Sequence, residues 1–175
     1  MLVKQKGRLF NLPIPRGLKV AYIHGKGLGL LANRQFKAGQ KLIPLRGELV
    51  PASRASDEAV QFDANRFIDT PYIVPEDFIN HSCSPNAAID FDKKCFVAIK
   101  TIKKNSEITF NYHTTEYDIE KMGGGFDCLC GSKNCYKKIS GFRYLSFSQK
   151  KRLEKYLSPF IKEKFRKEGT KRGGK

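Results

Sequence analysis

Asn80-His81-Ser82-Cys83-Ser84-Pro85-Asn86 places two amides, an imidazole, a thiol and a turn-forming proline within seven residues. Each group has an ordinary reading. Asn and Pro build turns, a histidine can be a hydrogen-bonded core residue, and a lone thiol is a small apolar filler. The stretch gains weight from what surrounds it in the chain.

Downstream, Ala87–Phe91 and Cys95–Ile99 alternate in hydropathy and flank Asp92-Lys93-Lys94, which predicts a β-hairpin. Lys104-Asn105-Ser106 is a turn leading into a strand over Glu107-Ile108-Thr109-Phe110-Asn111-Tyr112. Upstream, a β-run over Lys19–Ile23 enters His24-Gly25-Lys26-Gly27-Leu28-Gly29, and Leu30-Leu31-Ala32 follows as a second strand. Glycines at every second position let a backbone approach a ligand closely. The loop lacks a Gly-Lys-Ser/Thr ending and no helical pattern follows it, which excludes a phosphate-binding P-loop and a dinucleotide fold. Between these motifs, Lys41–Leu45 is expected as a strand turning through Arg46-Gly47 into a hairpin. Ser53–Val60 is expected as a short surface helix and Phe67-Ile68 as a brief strand.

Three of the five cysteines fall in Cys128-Leu129-Cys130-Gly131-Ser132-Lys133-Asn134-Cys135. A structural zinc site needs four ligands, and this segment offers three thiols with no histidine close downstream. The fourth is Cys83 or Cys95. Cys95 sits in an alternating strand as a small buried residue, whereas Cys83 sits in a polar loop, so Cys83 is the better ligand. A Cys-x-x-Cys redox pair is absent and the cysteine count is odd, which weighs against redox and disulfide readings.

Thirteen Phe, fifteen Gly and no Trp describe one strand-rich, turn-rich domain with a tail. The N-terminal residues have no unbroken apolar core of a signal peptide and no run is long enough for a membrane span, so an intracellular protein without membrane contact is expected. The net charge of +16 suits an anionic or nucleic-acid-associated partner. Residues 137–175 hold fourteen Lys and Arg against three Glu, which makes the C-terminus a candidate nucleic-acid contact or a solvated charged helix. Leu153, Tyr156, Leu157, Phe160 and Ile161 have helical spacing, with a break or kink expected at Pro159. Gly123-Gly124-Gly125 is expected as a flexible link, and 169–175 as a disordered basic tail.

Taken in order, Lys26-Gly27-Leu28-Gly29, Phe78–Asn86, Glu107–Tyr112 and Cys128–Cys135 resemble the motifs of SET-domain protein lysine methyltransferases. The resemblance implies a mainly β (α+β) fold of several small sheets, with pseudoknot-like threading of the C-terminal segment under a loop. It implies an N-terminal extension (1–17), a SET domain (18–120), a post-SET zinc segment (121–142), a helical extension (143–168) and a basic tail (169–175). It places S-adenosylmethionine against Lys26, Gly27, Leu28 and Gly29, with Asn80 and His81 on its adenosine part and Phe126 and Leu129 walling the channel. Tyr112 takes the catalytic tyrosine's position beside the cofactor, and Phe110 the position that tunes how many methyl groups fit. Cys83, Cys128, Cys130 and Cys135 match one structural Zn2+ site.

Two positions depart from the family pattern: Leu45 stands where a tyrosine is frequent, and Lys137 where a glycine is usual. No cysteine-rich segment precedes Leu18, so a minimal SET protein is expected. The substrate implied is a histone or another basic, nucleic-acid-associated protein. The setting implied is the nucleus and chromatin in a eukaryote, or the cytoplasm or a host nucleus for a bacterial protein. The alternative is a non-catalytic, zinc-stabilised chromatin or nucleic-acid-binding module.

Overall fold

The computed structural model describes the backbone of residues 2–5 and 8–172 and the side chains of residues 12–169. Strands β1 (Leu2–Gln5), β2 (Arg8–Asn11), β3 (Leu18–Ile23), β4 (Gly27–Ala32) and β5 (Lys41–Pro44) come first. They are followed by β6 (Glu48–Pro51), β7 (Val60–Gln61), β8 (Arg66–Asp69), β9 (Asn80–His81), β10 (Ala87–Asp90), β11 (Cys95–Ala98) and β12 (Thr109–Phe110). The remainder holds α1 (Ile119–Gly123), β13 (Phe126–Asp127), β14 (Lys138–Ile139), α2 (Phe147–Leu153) and α3 (Pro159–Arg172). No described helix is long and apolar enough to cross a membrane. The chain divides into two compact units. One comprises 1–47, 70–111 and 129–135; the other comprises 48–69, 112–128 and 136–175.

In the first unit, β3 and β4 form an antiparallel hairpin that turns at the glycine loop, where Gly25 and Gly27 adopt φ of +75° and +79°. These left-handed conformations are open to glycine at no steric cost. Strand β5 pairs antiparallel with β11, which pairs with β10. The hairpin expected between Lys41–Leu45 and Arg46–Leu49 does not form, because β5 takes its partner from 95–98. Arg46 is instead anchored to the buried Glu76, whose carboxylate accepts from the Arg46 backbone N–H (3.1 Å) and guanidinium (2.6 Å). Leu30, Phe36, Ile43, Ile79, Ile102 and Ile108 are fully buried here.

The strand expected over Glu107–Tyr112 is only two residues long, and β12 pairs parallel with β9. The segment around it is gripped along both edges. Ile108 N–H donates to Leu30 O (2.7 Å) and Ser82 N–H donates to Phe110 O (2.9 Å) on one edge. On the other edge Asn86 acts with backbone and side chain together. Its N–H donates to Thr109 O (3.2 Å), its Oδ1 accepts from Thr109 N–H (2.9 Å), and its Nδ2 donates to Glu107 O (2.7 Å). Alternate residues of an extended chain direct their polar groups to opposite sides, so the short loop 80–86 reaches both edges, with Leu30 of the hairpin completing the first.

In the second unit, β6, β8 and β7 form a three-stranded antiparallel sheet and β13 pairs with β14. The helix expected over Ser53–Val60 is reduced to one 3-10 turn, Ala52–Arg54, because Ser56 is drawn off by Asp69, which accepts from its N–H (2.8 Å) and hydroxyl (2.9 Å). The expected flexible link at Gly123–Gly125 is ordered: Gly123 ends α1, and Gly125 N–H donates to Glu120 (3.0 Å). Ser146 and Gln149 cap α2 reciprocally. Pro159 starts α3 and does not kink a longer helix; it tolerates the first turn, and Ser158 Oγ accepts from Ile161 N–H (3.2 Å). Phe142, Leu145, Leu153, Leu157, Ile161 and Phe165 pack as the core of this unit. The basic tail expected from Gly169 begins inside α3, and residues 173–175 lie outside the described residues.

Two poorly hydrated titratable groups oppose each other in this unit. Burial raises the Glu116 carboxyl from 4.5 to about 7, although it accepts from Gln61 N–H (3.0 Å), and burial lowers His113 from 6.5 to about 4. Between pH 4.5 and 7 the folded state holds a proton on Glu116 that the unfolded chain releases, so this group lowers stability as pH rises. Between pH 6.5 and 4 the unfolded chain protonates His113 and the folded state does not, so that group lowers stability as pH falls. The two slopes cancel between pH 4.5 and 6.5. In urea denaturation Glu116→Gln should therefore lose stability steeply as pH falls below 6.5, and its stability relative to the parent should rise between pH 4.5 and 7 and stay level above that. Parallel pH profiles for the two proteins would contradict this.

Candidate functional site

The glycine hairpin and the 80–86 loop meet through one carboxylate. Glu107 lies at a bridge to Leu31, just after a turn in which Asn105 adopts φ of +65°. Its Oε2 pairs with Lys26 Nζ at 2.6 Å, and its Oε1 accepts from Asn80 Nδ2 at 2.9 Å. Asn80 Nδ2 also donates to Leu28 O at 3.1 Å. Lys26, Leu28 and Asn80 are thus brought together, and Glu107, read from sequence only as a strand residue, is the group that joins them. An acid between a turn and an alternating run carries no local signal of that role. Gly29 is required for the same reason: a Cβ there would stand 2.7 Å from Ile23 Cγ1, 2.9 Å from Asn80 Nδ2 and 3.3 Å from Glu107 Oε1.

His81 is buried, and its Nε2 lies 3.3 Å from Cys83 Sγ. Expected to face a cofactor, the imidazole thus commits one nitrogen to a sulfur. Cys83 Sγ and those of Cys128, Cys130 and Cys135 all lie within 4.8 Å of one another. Tetrahedral zinc with bonds of about 2.3 Å sets its sulfurs about 3.8 Å apart, so the donor set fits a zinc ion held by four thiolates. Cys95 is fully buried in β11.

Phe110, in β12, is buried with its ring edge-on to Phe96 at 5.3 Å. Tyr112 is half-buried and opens the 3-10 turn Tyr112–Thr114; its carbonyl accepts from Thr115 N–H (3.0 Å) and Glu116 N–H (2.8 Å). That turn ends the extended segment, so Tyr112 is not the strand residue expected. Phe126 and Leu129 carry exposed side chains, 50% and 63% accessible.

Residues 27–113 match the family model described as SET domain, and that span contains the second strand of the glycine hairpin, the 80–86 loop and Glu107. The chain carries a SET domain. The mainly β architecture of several small sheets is the fold expected from the motifs. Curated relatives of this SET-domain chain include a Debaryomyces hansenii "Histone-lysine N-methyltransferase, H3 lysine-36 specific", 26% identical over 136 residues, covering 66% of this chain and 18% of that protein. "Histone-lysine N-methyltransferase trithorax" of Drosophila virilis is 29% identical over 171 residues, covering 79% of this chain and 4% of that protein. "Methyltransferase flvH" of Aspergillus flavus is 34% identical over 90 residues, covering 49% and 47%. The chain spans less than a fifth of the length of the lysine-36 relatives. A solved structure of KRYPTONITE in complex with mCHG DNA and SAH shares the fold with TM-score 0.58 and 23% identity, over 69% of this chain and 28% of that one. A second KRYPTONITE structure, with mCHH DNA, H3(1-15) peptide and SAH, aligns with TM-score 0.57.

The departure at Lys137 has a structural expression. Lys137 adopts φ of +67°, the left-handed region that suits glycine, while its carbonyl accepts from Cys128 N–H at 2.8 Å. A non-glycine residue in that region costs roughly 1 kcal/mol. Lys137→Gly should therefore raise stability in chemical denaturation by about that amount, and a loss of stability would contradict the strain.

Proposed function

We propose that this SET-domain chain is a protein-lysine N-methyltransferase that uses S-adenosylmethionine and acts on a histone or another basic, nucleic-acid-associated protein in chromatin. The observation that carries the reading is the cradle formed by the Lys26–Gly29 turn and the Asn80 amide, which is open at Gly27, where a Cβ would meet nothing within 4 Å, and which lies at the start of the matched residues 27–113. The relatives' names, histone-lysine N-methyltransferases from fungi and flies, support the reaction and the substrate class. The SAH in the KRYPTONITE complexes supports the cofactor, and the H3 peptide of one and the DNA of both support a histone substrate held near nucleic acid. The basic residues of 137–175 are the part of this chain that suits phosphate contact.

S-adenosylmethionine, when bound, would supply a sulfonium-bound methyl group to the neutral lysine amine, the C–S bond breaking as the N–C bond forms and S-adenosylhomocysteine leaving. Lys26–Gly29 and Asn80 bind it, with Phe126 and Leu129 proposed as apolar walls. The substrate lysine must first lose a proton, which near pH 7 costs about 4 to 5 kcal/mol from an ordinary pKa of about 10.4. A narrow apolar channel lowers that cost by disfavouring the ammonium form. Tyr112 orients the amine with its hydroxyl, and Phe110 sets the room for added methyl groups; alignment of the reactants supplies much of the remaining acceleration. Cys83, Cys128, Cys130 and Cys135 would hold a structural zinc ion, with the His81 imidazole donating to the Cys83 sulfur.

Incubation with methyl-labelled S-adenosylmethionine and core histones, followed by mass spectrometry, tests the activity. Methyl-lysine on a histone is expected from the parent chain, and at least about a hundredfold less from Tyr112→Phe with S-adenosylhomocysteine binding retained. Equal turnover in Tyr112→Phe would remove the tyrosine's role, and no transfer to any basic protein would favour a binding module. Zinc chelation should lower both melting temperature and cofactor affinity, with recovery on adding Zn2+; an unchanged melting curve would contradict a structural zinc.

A further inference from the structure

Asn80 and Glu107 form an arrangement that fixes the direction of an amide. Both Nδ2 hydrogens of Asn80 are committed, to the Leu28 carbonyl at 3.1 Å and to Glu107 Oε1 at 2.9 Å. Turning the amide over would aim Oδ1 at two acceptors, so the side chain has one stable orientation. The carboxylate that sets it is itself held. Glu107 Oε2 takes Lys26 Nζ at 2.6 Å, with both side chains 17% exposed, and the Glu107 carbonyl accepts from Asn86 Nδ2 at 2.7 Å. The space these groups occupy exists because residue 29 has no side chain.

We propose that Glu107 is a positioning residue: it holds the Asn80 amide with Oδ1 presented to the ligand as an acceptor, and it engages the Lys26 ammonium internally. The hairpin then recognises its ligand through backbone groups and a fixed amide oxygen, and the Lys26 charge serves to aim the carboxylate. The identity of that ligand as S-adenosylmethionine rests on the function proposed above; the fixed amide does not.

The full chain in parent, Glu107→Met and Glu107→Gln forms tests this. Methionine keeps the length and removes both acceptors, and glutamine keeps one acceptor without the charge. In the ligand-free parent, the Asn80 side-chain amide should give two resolved, slowly exchanging proton signals in a nitrogen-correlated NMR spectrum, identified by their loss in Asn80→Asp. Glu107→Met should collapse them to the values of a free amide, with backbone signals elsewhere unmoved, and weaken S-adenosylhomocysteine binding by about tenfold or more. Glu107→Gln should retain the signals and restore binding to within about threefold of the parent. Unmoved Asn80 signals or undiminished affinity in Glu107→Met would overturn the proposal. If that variant does not fold, loss of the signals in Glu107→Gln overturns it. A parent chain that binds no S-adenosylhomocysteine overturns the cofactor reading instead, and the Asn80 signals then decide the positioning claim alone.

Discussion

The first unit of this protein depends on satisfying the backbone of one buried extended segment, 107–110, with no broad sheet to receive it. Ile108, Thr109 and Phe110 are buried, so every N–H and C=O there that lacked a partner would cost about 1–3 kcal/mol. Loop 80–86 and the end of the glycine hairpin supply the partners. Asn86 is the economical element, since its backbone and side chain together satisfy three groups on one edge, a task that would otherwise need another strand. The two-residue parallel pair on the other edge is short because its purpose is local: it fixes register between Asn80–His81 and Thr109–Phe110.

That register has chemical consequences. It sets Asn80 against the hairpin carbonyl of Leu28, turns His81 toward Cys83, and places Glu107 where its carboxylate meets Lys26 and Asn80. A slip of one residue would send each of these side chains to the opposite face. The proposed binding surface and the packing core are therefore built from the same few residues. Gly29 shows the coupling most plainly, because its missing side chain is the room the polar cluster occupies.

Much of this was legible in the sequence, and the reasons differ by residue. The glycine loop and the 87–98 hairpin announced themselves through alternation and turn composition, which are local. Counting thiols pointed to Cys83 over Cys95 because a thiol in a polar loop needs a reason. The threading and the residue roles are expectations that rest on the family resemblance alone. What was not legible is non-local. Strand β5 pairs with β11 across half the domain, Ser56 leaves its expected helix for Asp69, and Glu107 acts through partners 81 and 27 positions away. Lys137 could be seen as a departure, but only its φ shows that the departure is strained.

The most direct measurement of this account is amide hydrogen exchange of the zinc-supplemented chain, resolved to single residues, with and without S-adenosylhomocysteine. Ser82, Asn86, Ile108 and Thr109 should exchange together at a slow, common rate in the free protein, as one cooperative unit, and slow further when the ligand is present. Loop-like, independent exchange of Ser82 and Asn86, unaffected by ligand, would contradict the claim that gripping this segment builds the site.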